Sequence, residues 1–312
     1  MSRVWKGQAV FMVWATLIAV GLAAPFVVYP VFAMNVLVMA LFASAFNLLL
    51  GYAGLLSFGH AAFLGSAAYV TGWAAKSWGL GVLSSMAAGV AVATLLGLVF
   101  GILALRRSGI YFAMITLGLA QVVYFLVVQM PWTGGEDGLQ GIPRGKLLGI
   151  VDLGNSFAMY YFAYVVFLGA FWLIQRTIDS PFGQVLRAIR ENEPRAISLG
   201  YDVQRYKLMA FVISASLAGL AGSLKAIALQ FATLGDVAWQ RSGEVVLMTL
   251  LGGMGTVLGP SVGALLVVTM EHYLASLGSW VTVITGGVFV VMVMAFRKGV
   301  VGEIRALLQR SR

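Results

Sequence analysis

The 312-residue sequence is 61% hydrophobic and 10% charged, with a mean hydropathy of +0.94. A water-soluble fold needs about 25% charged residues to cover its surface, so this composition excludes one and points to a chain surrounded by lipid. The net charge of +9 does not imply nucleic acid, because the basic residues lie in short loops between apolar runs; the absence of cysteine and the presence of only His60 and His272 exclude thiolate metal sites and argue against a zinc centre or any bound cofactor.

Runs long enough to cross or half-cross a bilayer fall at about 10–29, 31–50, 60–75, 82–105, 109–130, 158–176, 208–232, 243–258, 260–275 and 279–296. The first follows Arg3 and Lys6 and is longer than the apolar stretch of a signal peptide, so it reads as a retained helix. No soluble domain fits between the runs. The chain is therefore expected to be an all-α polytopic membrane protein, a single transmembrane domain over 1–312. It would have about 8–10 transmembrane or half-membrane helices, an external loop at about 131–157 and a cytoplasmic loop at about 177–207. Its 38 glycines suit close helix approach in lipid.

Charge gives the orientation. Fifteen of the twenty basic residues cluster on one side: Arg3 and Lys6, Arg106 and Arg107, six residues between Arg176 and Lys207, and five from Arg297 onward. The positive-inside rule places that side, with both termini, in the cytoplasm. Parity then requires 243–275 to enter and leave on the outer side as two half-helices. Gly252, Gly253, Gly255 and Gly259-Pro260 break the pattern where a continuous helix would be weakest. A similar break at Gly51 and Gly54 precedes Ser57, Gly59 and His60. Broken backbone at membrane depth survives only against protein or a watery cavity, and paired breaks in two halves of a transporter mark the substrate path. The seven glycines with Ser57 and His60, nine residues, are the expected translocation path.

The loop from Ser180-Pro181 to Gly200 reads as a helix start and a helix end, with Pro194 dividing it into two short helices. Val185, Leu186, Ile189, Ile197 and Leu199 give it a greasy face, opposite Arg187, Arg190 and Glu191. Such a pair either lies in the lipid interface or docks into a groove on a cytoplasmic partner.

The run from Gly51 to Phe63, with Gly109–Leu117 and Thr133–Pro143, resembles the LivM-type permeases of branched-chain amino-acid ABC transporters over about residues 35–300. The 181–203 loop is similar to that family's ATPase-contacting loop, although Glu193-Pro194-Arg195-Ala196 departs from the usual alanines after the glutamate. The resemblance implies a bacterial cytoplasmic (inner) membrane protein that forms half of a passage for branched-chain or other hydrophobic amino acids. Its partners would be a second homologous permease subunit, two cytoplasmic ATPase subunits and an external substrate-binding protein. Arg187, Arg190, Glu191, Glu193, Ala196 and Gly200 would couple to the ATPases. None of the six lysines lies in a phosphate-loop frame, in keeping with ATP hydrolysis on a partner and no enzyme activity in this chain.

Several residues keep two readings. Glu136 and Asp137 either dock the binding protein or cap a turn. His60 either lines the path or is a hydrogen-bonded structural residue. Glu244 is a gate or a headgroup-zone residue, and Lys225 and Glu271-His272 lie inside or beside spans, where a charge must pair, snorkel or face water. A membrane enzyme would require clustered acids and histidines, and here they are scattered. A permease for urea or short amides, and an ion-gradient-driven secondary transporter working without the loop, stay open as alternatives.

Overall fold

The computed structural model describes residues 14, 17–147, 149, 151–278, 280–295 and 299–303. The start of the first expected helix lies outside them, as do Arg3, Lys6, Arg297, Lys298, Arg305, Arg310 and Arg312. Helix α1 (Leu17–Val27) is followed by α2 (Pro30–Asn47), which continues as a π-helical turn over Leu48–Ala53. Then come α3 (His60–Ser77), α4 (Val82–Ala104), α5 (Ile110–Gln129), α6 (Ser156–Asp179), α7 (Pro181–Glu191), α8 (Glu193–Ser198) and α9 (Val203–Leu229). The last group is α10 (Leu234–Val237), α11 (Trp239–Gly252), α12 (Gly259–Leu274) and α13 (Trp280–Ala295).

Five of these, α2 with its π turn, α4, α5, α6 and α9, are long and apolar enough to cross a membrane. Local chemistry sets their ends. Pro30 opens α2, where its missing N–H costs nothing, and Asn155 caps α6 by accepting from Phe157 N at 2.9 Å. Asp202 caps α9 by accepting from Arg205 N at 3.2 Å.

Helices α2, α3 and α9 form the centre, and small residues let them close on one another. A Cβ on Gly222 of α9 would lie 1.9 Å from the Leu64 carbonyl oxygen of α3, so the two backbones touch there. Helix α5 flanks this centre and leaves Ile110, Met114, Val122 and Phe125 exposed, a surface that only lipid or another membrane helix can cover. Helix α1 is strapped to α6 by Tyr160 and Tyr164, whose hydroxyls donate to the Gly21 and Leu17 carbonyls at 2.8 and 3.0 Å.

The ten expected apolar runs reappear as ten helices among the described residues. Two features differ. Helix α9 begins at Val203, several residues before its apolar run, because its first turn is polar. The 131–157 loop holds two-residue strands: β1 (Leu139–Gln140) pairs antiparallel with β4 (Phe231–Ala232), and β2 (Lys146–Leu147) with β3 (Val151–Asp152). Helices α11 and α12 form an antiparallel pair whose 253–258 turn reaches the last turn of α2. Their 14 and 16 residues span about 21–24 Å, short of a bilayer core of about 30 Å. The pair leaves at the end where it entered. After α13, Gly299 returns to Gly253, so the chain comes back to the end of the bundle that carries α7.

Candidate coupling ridge and passage joint

The ridge forms as its local signals dictate. Ser180 Oγ accepts from Gly183 N, and Pro181 sits in the first turn of α7. The break falls at Asn192, whose side chain accepts from Arg195 N at 3.0 Å and starts α8. Pro194 is therefore tolerated in the first turn of the second helix, where no intrahelical N–H bond is lost. Gly200 ends α8 at φ +86°, a backbone conformation that favours glycine. Ile189, Ala196 and Val203 make a small core with Val185 and Tyr206, and Phe182 stacks on Tyr206 with centroids 5.6 Å apart. Ile197 and Leu199, expected on the greasy inner face, instead point outward at 58% and 67% exposure.

The structure separates the six expected coupling residues. Arg190 donates to the Gly51 carbonyl, and the Arg187 guanidinium lies 5.1 Å from the centroid of the Tyr52 ring. Glu193 pairs with Lys207 at 2.7 Å, and Ala196 is in the small core. These four tie the ridge to the bundle. Glu191 and Gly200 are exposed.

The two glycine-rich breaks meet. Asn47 Nδ2 donates to the Thr256 carbonyl at 2.9 Å, while Asn47 Oδ1 accepts from Gly255 N at 3.0 Å. The Tyr52 hydroxyl donates to the Gly255 carbonyl at 3.0 Å. A side chain at Gly51 would fill the space taken by Asn47 Oδ1, 2.1 Å from its Cβ, and by Gly255 N at 2.7 Å.

Of the nine expected path residues, Gly54 is exposed and Gly255 partly so; Gly51, Ser57, Gly59, His60, Gly252, Gly253 and Gly259 are buried within the chain. Gly51 and Gly255 meet in the joint and Gly252 packs on Gly259, whereas Gly59 lies against Thr116 and Phe100. His60 in particular is enclosed by the rings of Phe46, Phe63 and Phe211. Its Nε2 lies 2.9 Å from Ser214 Oγ, which donates to the Ala45 carbonyl at 2.6 Å.

At the opposite end Lys225 is buried and paired with Asp236 of α10. Asp236 also accepts from Thr233 N at 3.1 Å and so caps its own short helix. Lys225 thus faces the bundle. Arg241 and Glu244 make a partly exposed ion pair, Glu271 is partly buried, and His272 is exposed with its ring 4.8 Å from that of Phe32. Glu136 and Asp137 are exposed on a 3-10 turn (Gly135–Asp137). Beside them is a surface recess of about 720 Å³ lined by Trp73, Lys76, Trp132 and Asp137. Among the described residues no group of His, Asp or Glu has the grouping to hold a metal ion.

Sequence reasoning missed Asn47, Tyr52, Ser214 and Asp236. A signal existed for Asn47, a polar residue deep in an apolar run, and for Asp236, an acid eleven residues beyond the buried lysine.

A bundle of membrane-length apolar helices, with paired glycine-rich breaks clasped together above an amphipathic ridge, is a polytopic membrane protein built as a permease. The chain belongs to the family described as the permease component of branched-chain amino acid transport systems, which it matches over residues 31–295. It is 30% identical over 271 residues to the high-affinity branched-chain amino acid transport system permease protein LivM of Escherichia coli K12, covering 80% of this chain and 64% of that protein. LivM of Salmonella typhimurium LT2 gives the same figures. The match thus spans just under two thirds of the length of these LivM proteins. The autoinducer 2 import system permease protein LsrC of Salmonella paratyphi B is 30% identical over 251 residues, covering 74% of this chain and 68% of that protein. No solved structure matches the chain.

Proposed function

We propose that this chain is a membrane permease subunit of an ATP-binding-cassette importer, sited in a bacterial inner membrane with its α7 end in the cytoplasm. It forms one half of a passage with a second homologous subunit. Of two ATPase subunits one docks on α7 and α8 and the other on the sister subunit, and a soluble binding protein delivers substrate at the opposite end, where Glu136 and Asp137 flank the tryptophan-walled recess. The expected cargo is a hydrophobic amino acid, supported by the similarity to LivM. The passage runs along the face of the glycine joint that Gly54 and Gly255 reach, and alternating access opens it to one side at a time.

The observation that carries this reading is the two-sided ridge. Its inner side is fastened to the bundle by Arg187, Arg190 and Glu193, whereas Ile197, Leu199 and Tyr201 stand exposed on the outer side. An apolar ridge that a single chain leaves uncovered, rimmed by Glu191 and Arg195, suits a groove on a cytoplasmic protein.

Ile197→Asp with Leu199→Asp is expected to release the ATPase subunit docked on this chain, lowering the ATPase recovered with the purified complex, and to leave the sister permease bound. Co-purification from mild detergent reads both at once. Full retention of the ATPases by the double variant would refute the docking site. Uptake by the lone chain in liposomes, driven by an ion gradient without ATP, would replace the importer reading with a secondary transporter. Uptake of labelled leucine, urea and autoinducer 2 by the intact complex decides the cargo.

A further inference from the structure

We infer that Asn47 is the positioning residue through which α7 drives the α11–α12 turn; the inference rests on the importer reading above. The chain of contacts is short and uninterrupted. Helix α7 holds α2 at two successive residues, Arg190 on the Gly51 carbonyl and Arg187 over the Tyr52 ring. The same turn of α2 holds the backbone of 255–256 by three hydrogen bonds, two from Asn47 and one from Tyr52. A displacement of α7 therefore reaches the base of the α11–α12 pair through a single turn of α2, with Arg190 Nη1 also lying beside Gly255, 3.4 Å from where a Cβ there would stand.

Two physical features suit this joint to move as a unit. The turn of α2 is π-helical over Leu48–Ala53, and π turns are rare, locally wider and inserted into α-helices mostly where function needs them. On the other side, the held turn contains Gly253 at φ +117° and Gly255 at φ +72°. Thr256 closes this turn from within, its N–H and its hydroxyl donating to the Gly253 carbonyl at 3.3 and 2.8 Å, so the turn moves as one piece with what grips it.

Asn47 supplies the grip. It is buried at 2% exposure, and its amide spends both an acceptor and a donor on peptide groups more than 200 residues away in sequence. A buried amide satisfied only by a distant backbone has no local helical role, so its bonds define a relative position of two elements. Gly51 makes the contact possible, since any side chain there would displace Asn47 Oδ1.

The test uses the whole complex in nanodiscs and proteoliposomes and measures uptake per ATP hydrolysed. Asn47→Leu is expected to keep the ATPase subunits and their ATP turnover while uptake per ATP falls by about tenfold, the scale of two neutral hydrogen bonds lost. Asn47→Asp, which keeps the acceptor but sets a buried carboxylate against the Thr256 carbonyl, should fall at least as far. A purely structural role would lower assembly, turnover and uptake together and leave the ratio unchanged.

The chain has no cysteine, so spin labels placed at Ala188→Cys and Met254→Cys report the distance between ridge and turn directly. That distance should hold on nucleotide trapping in the unaltered complex and spread in Asn47→Asp. This second measurement decides the matter if Asn47→Leu fails to assemble. An unchanged uptake-to-ATP ratio in assembled Asn47→Leu overturns the inference, as does an unchanged label distance in Asn47→Asp. In either case the importer reading stands if the unaltered complex takes up substrate only with ATP. ATP-independent uptake by the unaltered complex would remove both.

Discussion

Asp236→Asn is expected to lower the thermal unfolding midpoint of the detergent-solubilised protein by roughly 10 °C, and Lys225→Met added to it should restore most of the loss. Lys225 and Asp236 are 4% and 0% exposed, so their charges are held by each other, by the Thr233 N–H and hydroxyl on Asp236 and by the Phe231 ring beside Lys225. Removing one member strands the other. The usual cost of breaking a buried pair is about 3–5 kcal/mol, whereas replacing both by neutral groups of similar volume is close to neutral. At roughly 2–4 °C per kcal/mol for a chain somewhat smaller than this one, the single variant loses on the order of 10 °C. Lys225→Met alone should also be destabilised, because Asp236 would then be buried with only its Thr233 contacts. A single variant that melts within about 2 °C of the parent, below the effect of a single kcal/mol, would show that water reaches the pair. A double variant as unstable as the single would show that Asp236 acts through its cap on α10 and not through charge.

The contrast between what could and could not be read from the sequence is itself physical. Membrane helices announce themselves because each must satisfy its own backbone and face lipid with apolar side chains, a requirement independent of any partner. The runs at 82–105 and 109–130 accordingly became α4 and α5 almost residue for residue. The Ser180–Gly200 segment was equally legible, since caps and prolines act within a few residues. The joint was not. Its glycines were visible as breaks, but a break does not say what fills it, and the bonds from Asn47 to 255–256 join positions far apart in the chain. The Lys225 pair was lost for a related reason. The chain turns back at Gln230, held at φ +65°, and only that reversal sets Asp236 of the four-residue α10 beside α9. A two-residue strand and a one-turn helix carry no periodicity to detect. His60 was visible as a lone polar residue, but its enclosure depends on Phe211 and Ser214 of α9.

Gly252→Ala and Gly263→Ala are each expected to disrupt the α11–α12 pair, while Gly118→Ala and Gly169→Ala leave the protein as stable as before. A Cβ on Gly252 would sit 1.8 Å from the Gly259 carbonyl oxygen, and one on Gly263 would sit 1.8 Å from that of Met248. In both cases the obstacle is backbone, which has no rotamer to change, so the helices must separate. Overpacking of this kind costs about 1–3 kcal/mol where side chains can yield, and more where they cannot. The separated pair also loses the close approach that holds membrane helices together, since lipid offers no hydrophobic drive to restore it. At Gly118 of α5 and Gly169 of α6 an added methyl meets nothing within 4 Å, and alanine is the better helix former by about 1 kcal/mol. Fluorescence-detected size exclusion after a heat step compares all four. Gly252→Ala should leave little monodisperse protein at a temperature where Gly118→Ala is intact. Equal survival of the two would mean that the α11–α12 approach is looser than 1.8 Å implies. In that case the turn gripped by Asn47 would have slack on its far side, and motion passed to it from α7 would be absorbed before reaching α12.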